Sequence, residues 1–421
     1  MNDFDDNCDG EERTRGATRG EKTAEGGAKA LQILIESDPR VKLWLASGLD
    51  GATAKALDRL RQLADLQRLA VMPDVHPAAD VCVGTVIATS ELIYPQAIGG
   101  DIGCGMSTVA LSGLGIEALH EKRRRLVLEQ LGREVPILTR SARHSAWSDG
   151  APAVDMLREK RLSKAAERDG LMQLGTLGRG NHFLEVQADD DGRVWLMVHS
   201  GSRAMGQTIA RHYTNAALHG LGRTTSARHA HGKLLALSIG TEEGRNYLAD
   251  QQWAVLYAAA NRRKLLVSAA AVLKRECGLK ADWESFVDLP HNFVRLESHG
   301  GLEFIVHRKG ASPAASGQAG LIPGSAGTFS AHVEGRGNSE ALCSSSHGAG
   351  RVLSRGEARK SISAGKLRRQ LEGVAYDERM EDRMLDEAPG VYRDLRVVLE
   401  AQRDLVRVVR RLKPVISYKG G

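Results

Sequence analysis

Apolar residues recur three or four positions apart in several long stretches of the chain. This spacing places them on one face of a helix, so it predicts α-helices. We expect the last of these helices to stop at Pro414, because proline cannot continue a helix. The stretches are residues 31–35, 57–66, 116–131, 247–266 and 392–412.

Short runs rich in β-branched residues lie between the predicted helices. These runs predict strands at residues 69–72, 83–89, 194–198, 302–306 and 415–418, the first of them ended by Pro73. Helices and strands alternate without a regular βαβ repeat. The pattern therefore predicts an α+β (mixed α/β) fold, in which one large domain combines mixed sheets with surrounding helices.

The first part of the chain has almost no apolar residues to bury. Residues 1–26 are polar, rich in glycine and mixed in charge, and we expect them to form a disordered tail ahead of a single domain at 27–421. The acidic residues near the start also differ from a signal peptide, which needs basic and then apolar residues. Those acidic residues are Asp3, Asp5, Asp6, Asp9, Glu11 and Glu12.

Charge and cysteine content suggest a setting for the protein. The 421 residues carry a formal net charge of +6, and short basic runs such as 122–125, 262–264 and 410–411 permit a polyanionic partner. Each run taken alone is typical of a solvated helix face. Five scattered cysteines form no CxxC pair and no disulfide framework, and no run of 18 apolar residues occurs. We therefore expect a cytoplasmic protein without a membrane segment.

A thiol and a carboxylate lie three residues apart in a glycine-rich loop, at Cys104 and Asp101. The pair suits a divalent transition metal, although a cysteine buried in a tight turn is the alternative. His182, His199 and His291 each follow a glycine-rich loop, a strand or a proline. Each alone is more often structural, but together with the pair they predict a dinuclear site with the thiolate between two ions. Ligand chemistry leaves zinc and manganese equally open.

Two glycine-rich loops and one exposed histidine add candidate phosphate chemistry. Residues 175–180 and 322–328 have the small residues of a phosphate-binding loop, which are also those of an ordinary turn. His347 lies among small residues at 344–351, with Arg351 nearby. Such an imidazole can attack phosphorus as a nucleophile. A glycine-rich surface turn with an incidental histidine is an equal alternative.

Taken in order, these motifs closely resemble those of the RtcB-type RNA-splicing ligases, which join RNA ends with GTP and manganese. The resemblance extends from about residue 30 to the end of the chain. The motifs are Met-Pro-Asp-Val-His at 72–76, Gly-Asp-Ile-Gly-Cys-Gly-Met at 100–106, Gly-Thr-Leu-Gly-Arg-Gly-Asn-His-Phe-Leu-Glu at 175–185, His-Ser-Gly-Ser-Arg at 199–203, His-Asn at 291–292, His-Arg-Lys-Gly at 307–310, Ile-Pro-Gly-Ser at 322–325, His-Gly-Ala-Gly-Arg at 347–351 and Lys-Gly at 419–420.

The resemblance implies a role for each matching residue. It implies that His347 becomes guanylylated and that Cys104 bridges two Mn²⁺ ions. The implied metal ligands are Asp101, Cys104, His182, His199 and His291. The implied contacts to the guanine nucleotide are Asn181, His182, Phe183, Leu184, Glu185, His291, Asn292, Pro323, Gly324, Ser325, Ala326, Ser330, His347, Gly348, Ala349, Gly350 and Lys419.

The implied activity is RNA ligation in RNA repair or tRNA splicing. A 2′,3′-cyclic phosphate is opened to a 3′-phosphate, GMP is transferred from His347 to that phosphate, and an RNA 5′-hydroxyl then displaces GMP. A ribosome-rescue or repair factor is a possible partner. We also expect Arg203, Arg308, Lys309 and Arg351 to bind RNA phosphates. The alternatives are a metal-dependent cyclic phosphodiesterase that does not ligate and a non-catalytic module that binds damaged RNA.

The chain departs from the family pattern beside the expected site. Residues 77–80 are Pro-Ala-Ala-Asp where the family usually has a Gly-x-Gly element, Ala326 replaces a usual Met, and Ser312 followed by Pro313 replaces a usual Thr. All metal and nucleophile positions are retained. The departures predict a divergent paralogue with an altered range of RNA ends.

Overall fold

The computed structural model describes residues 19–139, 147, 150–220 and 234–420. Its helices are α1 Arg19–Glu36, α2 Gly51–Arg61, α3 Glu121–Glu134, α4 Lys160–Ala165, α5 Leu171–Gln173, α6 Ala204–Gly220, α7 Glu242–Cys277, α8 Arg355–Ser361, α9 Ala364–Gln370, α10 Glu381–Met384 and α11 Leu395–Ala401. Its strands are β1 Val41–Leu43, β2 Leu66–His76, β3 Val83–Thr89, β4 Leu92–Ile93, β5 Gly105–Ser112, β6 Phe183–Asp189, β7 Val194–Ser200, β8 Leu237–Ser238, β9 Lys280–Pro290, β10 Asn292–His299, β11 Leu302–Lys309, β12 Ala311–Pro313, β13 Ala319–Ile322, β14 Ser330–Gly335, β15 Ser344–Ser346 and β16 Val406–Lys419.

Two sheets dominate the architecture. The larger is antiparallel and has the strand order β13-β14-β16-β6-β7-β5-β9. The smaller is mixed and has the order β1-β2-β3-β11-β10, in which only the β1–β2 pairing is parallel. The strand pairs β12-β15 and β4-β8 form two small two-stranded sheets. The predicted α+β class with mixed sheets is confirmed.

Helix α7 links the hydrophobic cores of the two sheets. The side chain of Thr241 caps its first turn, and Gly278 ends it in the left-handed region at φ 70°. Its C-terminal half, including Leu265 and Leu273, packs with the strands of the larger sheet. Its N-terminal half, including Trp253, packs in a second core that contains residues of β10 and β11. The helix therefore fixes how the two sheets meet.

The structure corrects the predicted effect of two prolines. Strand β2 continues through Pro73 to His76, and strand β16 continues through Pro414 to Lys419. The β2–β3 ladder is interrupted between Val71 and His76, and the β16–β6 ladder shifts register directly after Pro414. Each proline therefore lies at or beside an irregularity, where a missing N–H is tolerated. The predicted helix at 392–412 is correspondingly wrong beyond Ala401. Pairing of β16 with both β14 and β6 outweighs the helical spacing of its apolar residues.

Other expectations hold with small shifts. Strand 83–89 has the predicted bounds, and the predicted helix at 57–66 ends at Arg61, after which Leu66 begins β2. Residues 1–18 of the predicted tail lie outside the described residues, and α1 begins at Arg19, before the predicted boundary at 27. Among the described helices, none is both long and apolar enough to cross a membrane.

Candidate functional site

The predicted metal ligands come together at one edge of the larger sheet. Cys104 precedes β5, His182 precedes β6, His199 lies near the end of β7 and His291 follows β9. These four strands are neighbours in the sheet order β6-β7-β5-β9. Adjacent antiparallel strands begin and end at the same edge, so residues far apart in sequence meet there.

Short distances join all five predicted ligands. The Sγ atom of Cys104 lies 3.2 Å from Nε2 of His199 and 3.4 Å from Nε2 of His182. His182 Nε2 also lies 3.1 Å from Oδ2 of Asp101, and His199 Nε2 lies 3.3 Å from Nε2 of His291. The ligand atoms of Cys104, His182 and His199 all lie within 4.8 Å of one another, as expected for a metal-binding group.

Backbone contacts orient two of the imidazoles. Nδ1 of His182 lies 3.0 Å from the carbonyl oxygen of Leu177, and Nδ1 of His199 lies 3.1 Å from that of Asn181. A carbonyl accepts only, so Nδ1 of His199 carries the proton and its Nε2 presents a lone pair to the cluster. The Nε2 atom of His199 therefore meets that of His291 with no proton of its own to donate. The lone pair on Nε2 of His199 is thus available to a cation bound among these ligands.

The electrostatics of the cluster also fit a bound cation. Burial lowers the pKa of both His199 and His291 well below the ordinary value, so the imidazoles are neutral. Burial and then the charge of Asp101 raise the pKa of the Cys104 thiol well above its ordinary value. A divalent ion reverses this effect, because a coordinating thiol loses its proton. The donor set of one thiolate, one carboxylate and three imidazoles suits a transition metal.

Two glycines allow the ligand loops to pack closely. A Cβ atom on Gly201 would lie 2.2 Å from Oδ1 of Asp101, and one on Gly103, which has φ 74°, would lie 2.8 Å from the Cα atom of Val255 in α7. Any side chain at Gly201 would therefore displace Asp101.

Arg262 supports the ligand loops from behind. Its guanidinium is fully buried and donates hydrogen bonds to the carbonyl oxygens of Gly103 at 2.7 Å and Ser200 at 3.0 Å. Asp288 accepts two further bonds from Arg262, at 2.6 and 2.9 Å. The prediction of a solvated run at 262–264 is therefore wrong for Arg262. Helical phase would have revealed it, because Arg262 shares a face with Ala258 and Leu265.

His347 lies beside the metal-ligand cluster. Its ring centroid is 4.7 Å from that of His291, and its Nδ1 atom is 2.7 Å from Oδ2 of Asp74. The same Asp74 oxygen accepts bonds from the backbone N–H groups of His347 at 3.3 Å and Gly348 at 3.2 Å. His347 is thus mostly buried beside the cluster and does not lie in an exposed surface turn. Asp74, within the motif at 72–76, was not predicted as a site residue.

A cavity of about 530 Å³ opens beside His347 and the metal ligands. This volume is within the range of small-molecule and cofactor sites. Leu184 and His182 are the predicted site residues that do not line it; the side chain of Leu184 packs in the core of the larger sheet, and His182 lies within the metal-ligand cluster. The predicted residues that line it are Asp101, Cys104, Asn181, Phe183, Glu185, His199, His291, Asn292, Pro323, Gly324, Ser325, Ala326, Ser330, His347, Gly348, Ala349, Gly350 and Lys419.

Glu185 is a buried carboxyl in the cavity wall. Burial raises its pKa to about 7. Its two oxygens accept bonds from Nε2 of Gln187 at 2.8 Å and from the hydroxyl of Ser417 at 3.2 Å. Gln187 also donates to the hydroxyl of Ser330, so the network joins two predicted nucleotide contacts. This part of the cavity offers both donors and acceptors to a polar ring.

Three of the four predicted phosphate-binding cations lie at the site. Lys309 and Arg351 line the cavity, and Arg203 lies 3.3 Å from Nδ1 of His182. Arg308 contradicts its prediction, because it is 1% exposed and pairs with Glu297 away from the cavity. Arg355, which was not predicted, also lines the cavity.

The sequence departures lie at and near the cavity. Pro77 and Ala78 are exposed and form part of its lining. Ala326 also lines it and packs in a small core with Ala358 and Leu367. Ser312 is buried in β12, which pairs with β15 immediately before His347.

Comparisons with a family model and with individual known proteins identify the same family. The family model described as tRNA-splicing ligase RtcB matches residues 57–420. The RNA-splicing ligase RtcB of Escherichia coli (strain K12) is 34% identical over 415 residues, which cover 92% of this chain and 99% of that protein. The RNA-splicing ligase RtcB of Mycobacterium tuberculosis is 32% identical over 418 residues, covering 83% and 96%. The tRNA-splicing ligase RtcB of Thermococcus kodakarensis is 30% identical over 423 residues, covering 83% and 87%. The chain therefore belongs to the RtcB family of RNA-splicing ligases, as its motifs predict.

Proposed function

We propose that this chain is a GTP-dependent RNA ligase of RNA repair or tRNA splicing. It joins an RNA 3′-phosphate or 2′,3′-cyclic phosphate end to a 5′-hydroxyl end, in the cytoplasm. The observation that carries the proposal is the position of His347, which lies against both the ligand cluster and a nucleotide-sized cavity. Membership of the RtcB family supports the same reaction, since the relatives are named as RNA-splicing ligases.

In the first step His347 acts as the nucleophile. Asp74 lies against Nδ1, which leaves the Nε2 lone pair free to attack the α-phosphorus of GTP. An N–P bond forms, the bond from the α-phosphorus to the bridging oxygen breaks, and pyrophosphate leaves. The imidazole becomes positively charged in this step, and the adjacent Asp74 carboxylate balances that charge.

The following steps use the same cavity. Water opens the cyclic end to a 3′-phosphate, whose oxygen attacks the phosphorus of the GMP–histidine intermediate. This breaks the N–P bond and gives an RNA(3′)pp(5′)G end. The RNA 5′-hydroxyl then attacks the 3′-phosphorus, and GMP leaves. Lys309 and Arg351, which line the cavity, and Arg203, which lies against His182, would attract the phosphates.

Two Mn²⁺ ions bound by Asp101, Cys104, His182, His199 and His291 would neutralise the negative charge of the phosphates. The guanine base would bind near Glu185, Ser330 and Lys419, which offer an acceptor and donors to its polar edge. A repair or ribosome-rescue factor would deliver the RNA.

Covalent labelling tests the proposal. Purified protein is incubated with [α-³²P]GTP and Mn²⁺, and protein-bound label is read on a denaturing gel. We expect label on the wild type and on His120→Ala, a control at an exposed histidine away from the cavity, but none on His347→Ala. Opening of cyclic phosphate ends without label on any variant would instead establish the hydrolase alternative.

A further inference from the structure

Glu387 is a buried carboxylate behind one wall of the cavity, in contact with residues that line it. It lies at the end of a single 3₁₀ turn, Leu385–Glu387, and is 4% exposed. Neither the motifs nor the resemblance assigns it a role. Its surroundings are unusual, because four charged or polar groups that line the cavity converge on it.

The four groups are two guanidiniums, an ammonium and a phenol. Glu387 Oε1 lies 3.1 Å from an Nη atom of Arg351 and 2.9 Å from one of Arg355. Its Oε2 atom accepts a hydrogen bond from the hydroxyl of Tyr392 and lies 3.8 Å from Nζ of Lys419. All four partners line the cavity.

This arrangement restricts side chains that are otherwise mobile. Free lysine and arginine side chains lose conformational entropy when they are ordered, so they need partners that hold them in place. Without the carboxylate, the positive charges of Arg351, Arg355 and Lys419 would repel one another in a partly buried wall. A carboxylate shared by all of them helps to fix their positions, together with the carbonyl oxygens of Leu353 and Asp386 that accept bonds from Arg351.

A second glutamate in the same segment provides a comparison. Glu381 also accepts bonds from an arginine and a tyrosine, Arg368 and Tyr376. Neither partner lines the cavity. Both carboxylates thus contact an arginine and a tyrosine, but only the partners of Glu387 line the cavity. A substitution at Glu381 therefore shows what loss of such a contact does to the fold alone.

We propose that Glu387 is a positioning residue for the ligation reaction, which holds Arg351, Arg355, Tyr392 and Lys419 in the geometry that receives GTP and the RNA end. The inference rests on the proposed function. It makes Glu387 important for substrate affinity through these partners, without contact between its carboxylate and the reacting atoms.

A substitution at the neighbouring Asp386 tests one of the four groups that Glu387 holds independently of the others. Its carboxylate pairs with Arg355 at 3.0 Å and Arg359 at 3.3 Å, but contacts neither Tyr392 nor Lys419 among the contacts of the described residues. Loss of the Asp386 charge should therefore affect Arg355 alone among the four. We expect Asp386→Asn to weaken GTP binding less than Glu387→Gln.

The test is the dependence of covalent guanylylation on GTP concentration in the full-length protein with Mn²⁺. For Glu387→Gln we expect the half-saturating GTP concentration to rise about tenfold or more, as for loss of a charge-assisted hydrogen bond, with a smaller change in the maximal rate. Glu381→Gln, the matched control, should keep the wild-type GTP dependence. Glu387→Asp retains the charge and should fall between Glu387→Gln and wild type. It also provides the test if the glutamine variant does not fold.

Two outcomes would overturn the inference in distinguishable ways. If wild type and Glu387→Gln are labelled with the same GTP dependence, or Glu381→Gln shows the same rise, Glu387 has no positioning role and the proposed function stands. If the wild type itself is not labelled, the proposed function fails, and the inference fails with it.

Discussion

The Nδ1 atom of His347 lies 2.7 Å from Oδ2 of Asp74, a fully buried carboxylate from β2 of the smaller sheet. His291, at the edge of the larger sheet, also packs against this imidazole, with ring centroids 4.7 Å apart. His347 is thus held between the two sheets. The smaller sheet supplies Asp74, and the larger one supplies the predicted metal ligands.

In the proposed mechanism, this contact should make Asp74 important for the first chemical step. Asp74→Asn keeps the shape of the side chain but removes the charge that balances the modified imidazole, and its amide can select the wrong tautomer of His347. We expect the single-turnover rate of guanylylation to fall about 100-fold or more, as for loss of other positioned acid–base groups. The measurement is the time course of covalent label at saturating GTP.

Asp58→Asn is a suitable control for this prediction, since Asp58 forms a partly exposed ion pair with Arg61 in α2. We expect it to be labelled at the wild-type rate. A normal rate in Asp74→Asn would mean that the backbone around His347 orients the imidazole without help from the carboxylate.

The lack of a side chain at Gly201 leaves room for the Asp101 carboxylate among the predicted metal ligands. In Gly201→Ala the new Cβ atom would lie 2.2 Å from Oδ1 of Asp101, so the carboxylate must move. We expect Mn²⁺ affinity, measured by isothermal titration calorimetry, to fall about 10–100-fold, as when a group that supports a metal ligand is lost.

The control is Gly132→Ala in α3, where nothing lies within 4 Å of the added Cβ atom. It should bind Mn²⁺ like the wild type and unfold at a slightly higher temperature, because alanine is the better helix former. Unchanged Mn²⁺ binding in Gly201→Ala would show that Asp101 is not needed for the affinity.

Sequence motifs predict the ligand cluster and the cavity lining well, because glycines, histidines and the cysteine occur where strands end. They do not predict supporting residues such as Arg262, since a buried arginine in a helix has the same local sequence as an exposed one until its helical phase is considered. Arg308 fails for a related reason. Its strand position turns it toward Glu297 and Ser344 instead of the cavity.

The fold was least predictable where pairing between distant segments decides the structure. The apolar residues at 405–412 have helical spacing, yet β16 forms because β14 and β6 are available on its two sides. Local sequence contains no information about those partners. The same long strand places Lys419 opposite Phe183 and so brings the end of the chain into the cavity.

Glu185 should make the stability of the protein depend on pH. Burial raises its pKa from 4.5 to about 7, so the folded protein binds this proton more tightly than the unfolded chain. Stability from this group is therefore fully present below about pH 4.5 and is lost as pH rises through 7. Glu185→Gln removes the titration and keeps a similar side-chain volume.

The measurement is urea unfolding of wild type and Glu185→Gln at pH 5 and pH 8, without GTP or metal. Between these values the variant should gain about 2–3 kcal/mol relative to the wild type, which follows from the pKa difference. Glu303→Gln, at an exposed position in β11, controls for the loss of one carboxylate and should show a much smaller change. An equal stability difference between wild type and Glu185→Gln at both pH values would show that Glu185 is ionised throughout, with Lys419 nearby supplying enough positive charge to offset its burial.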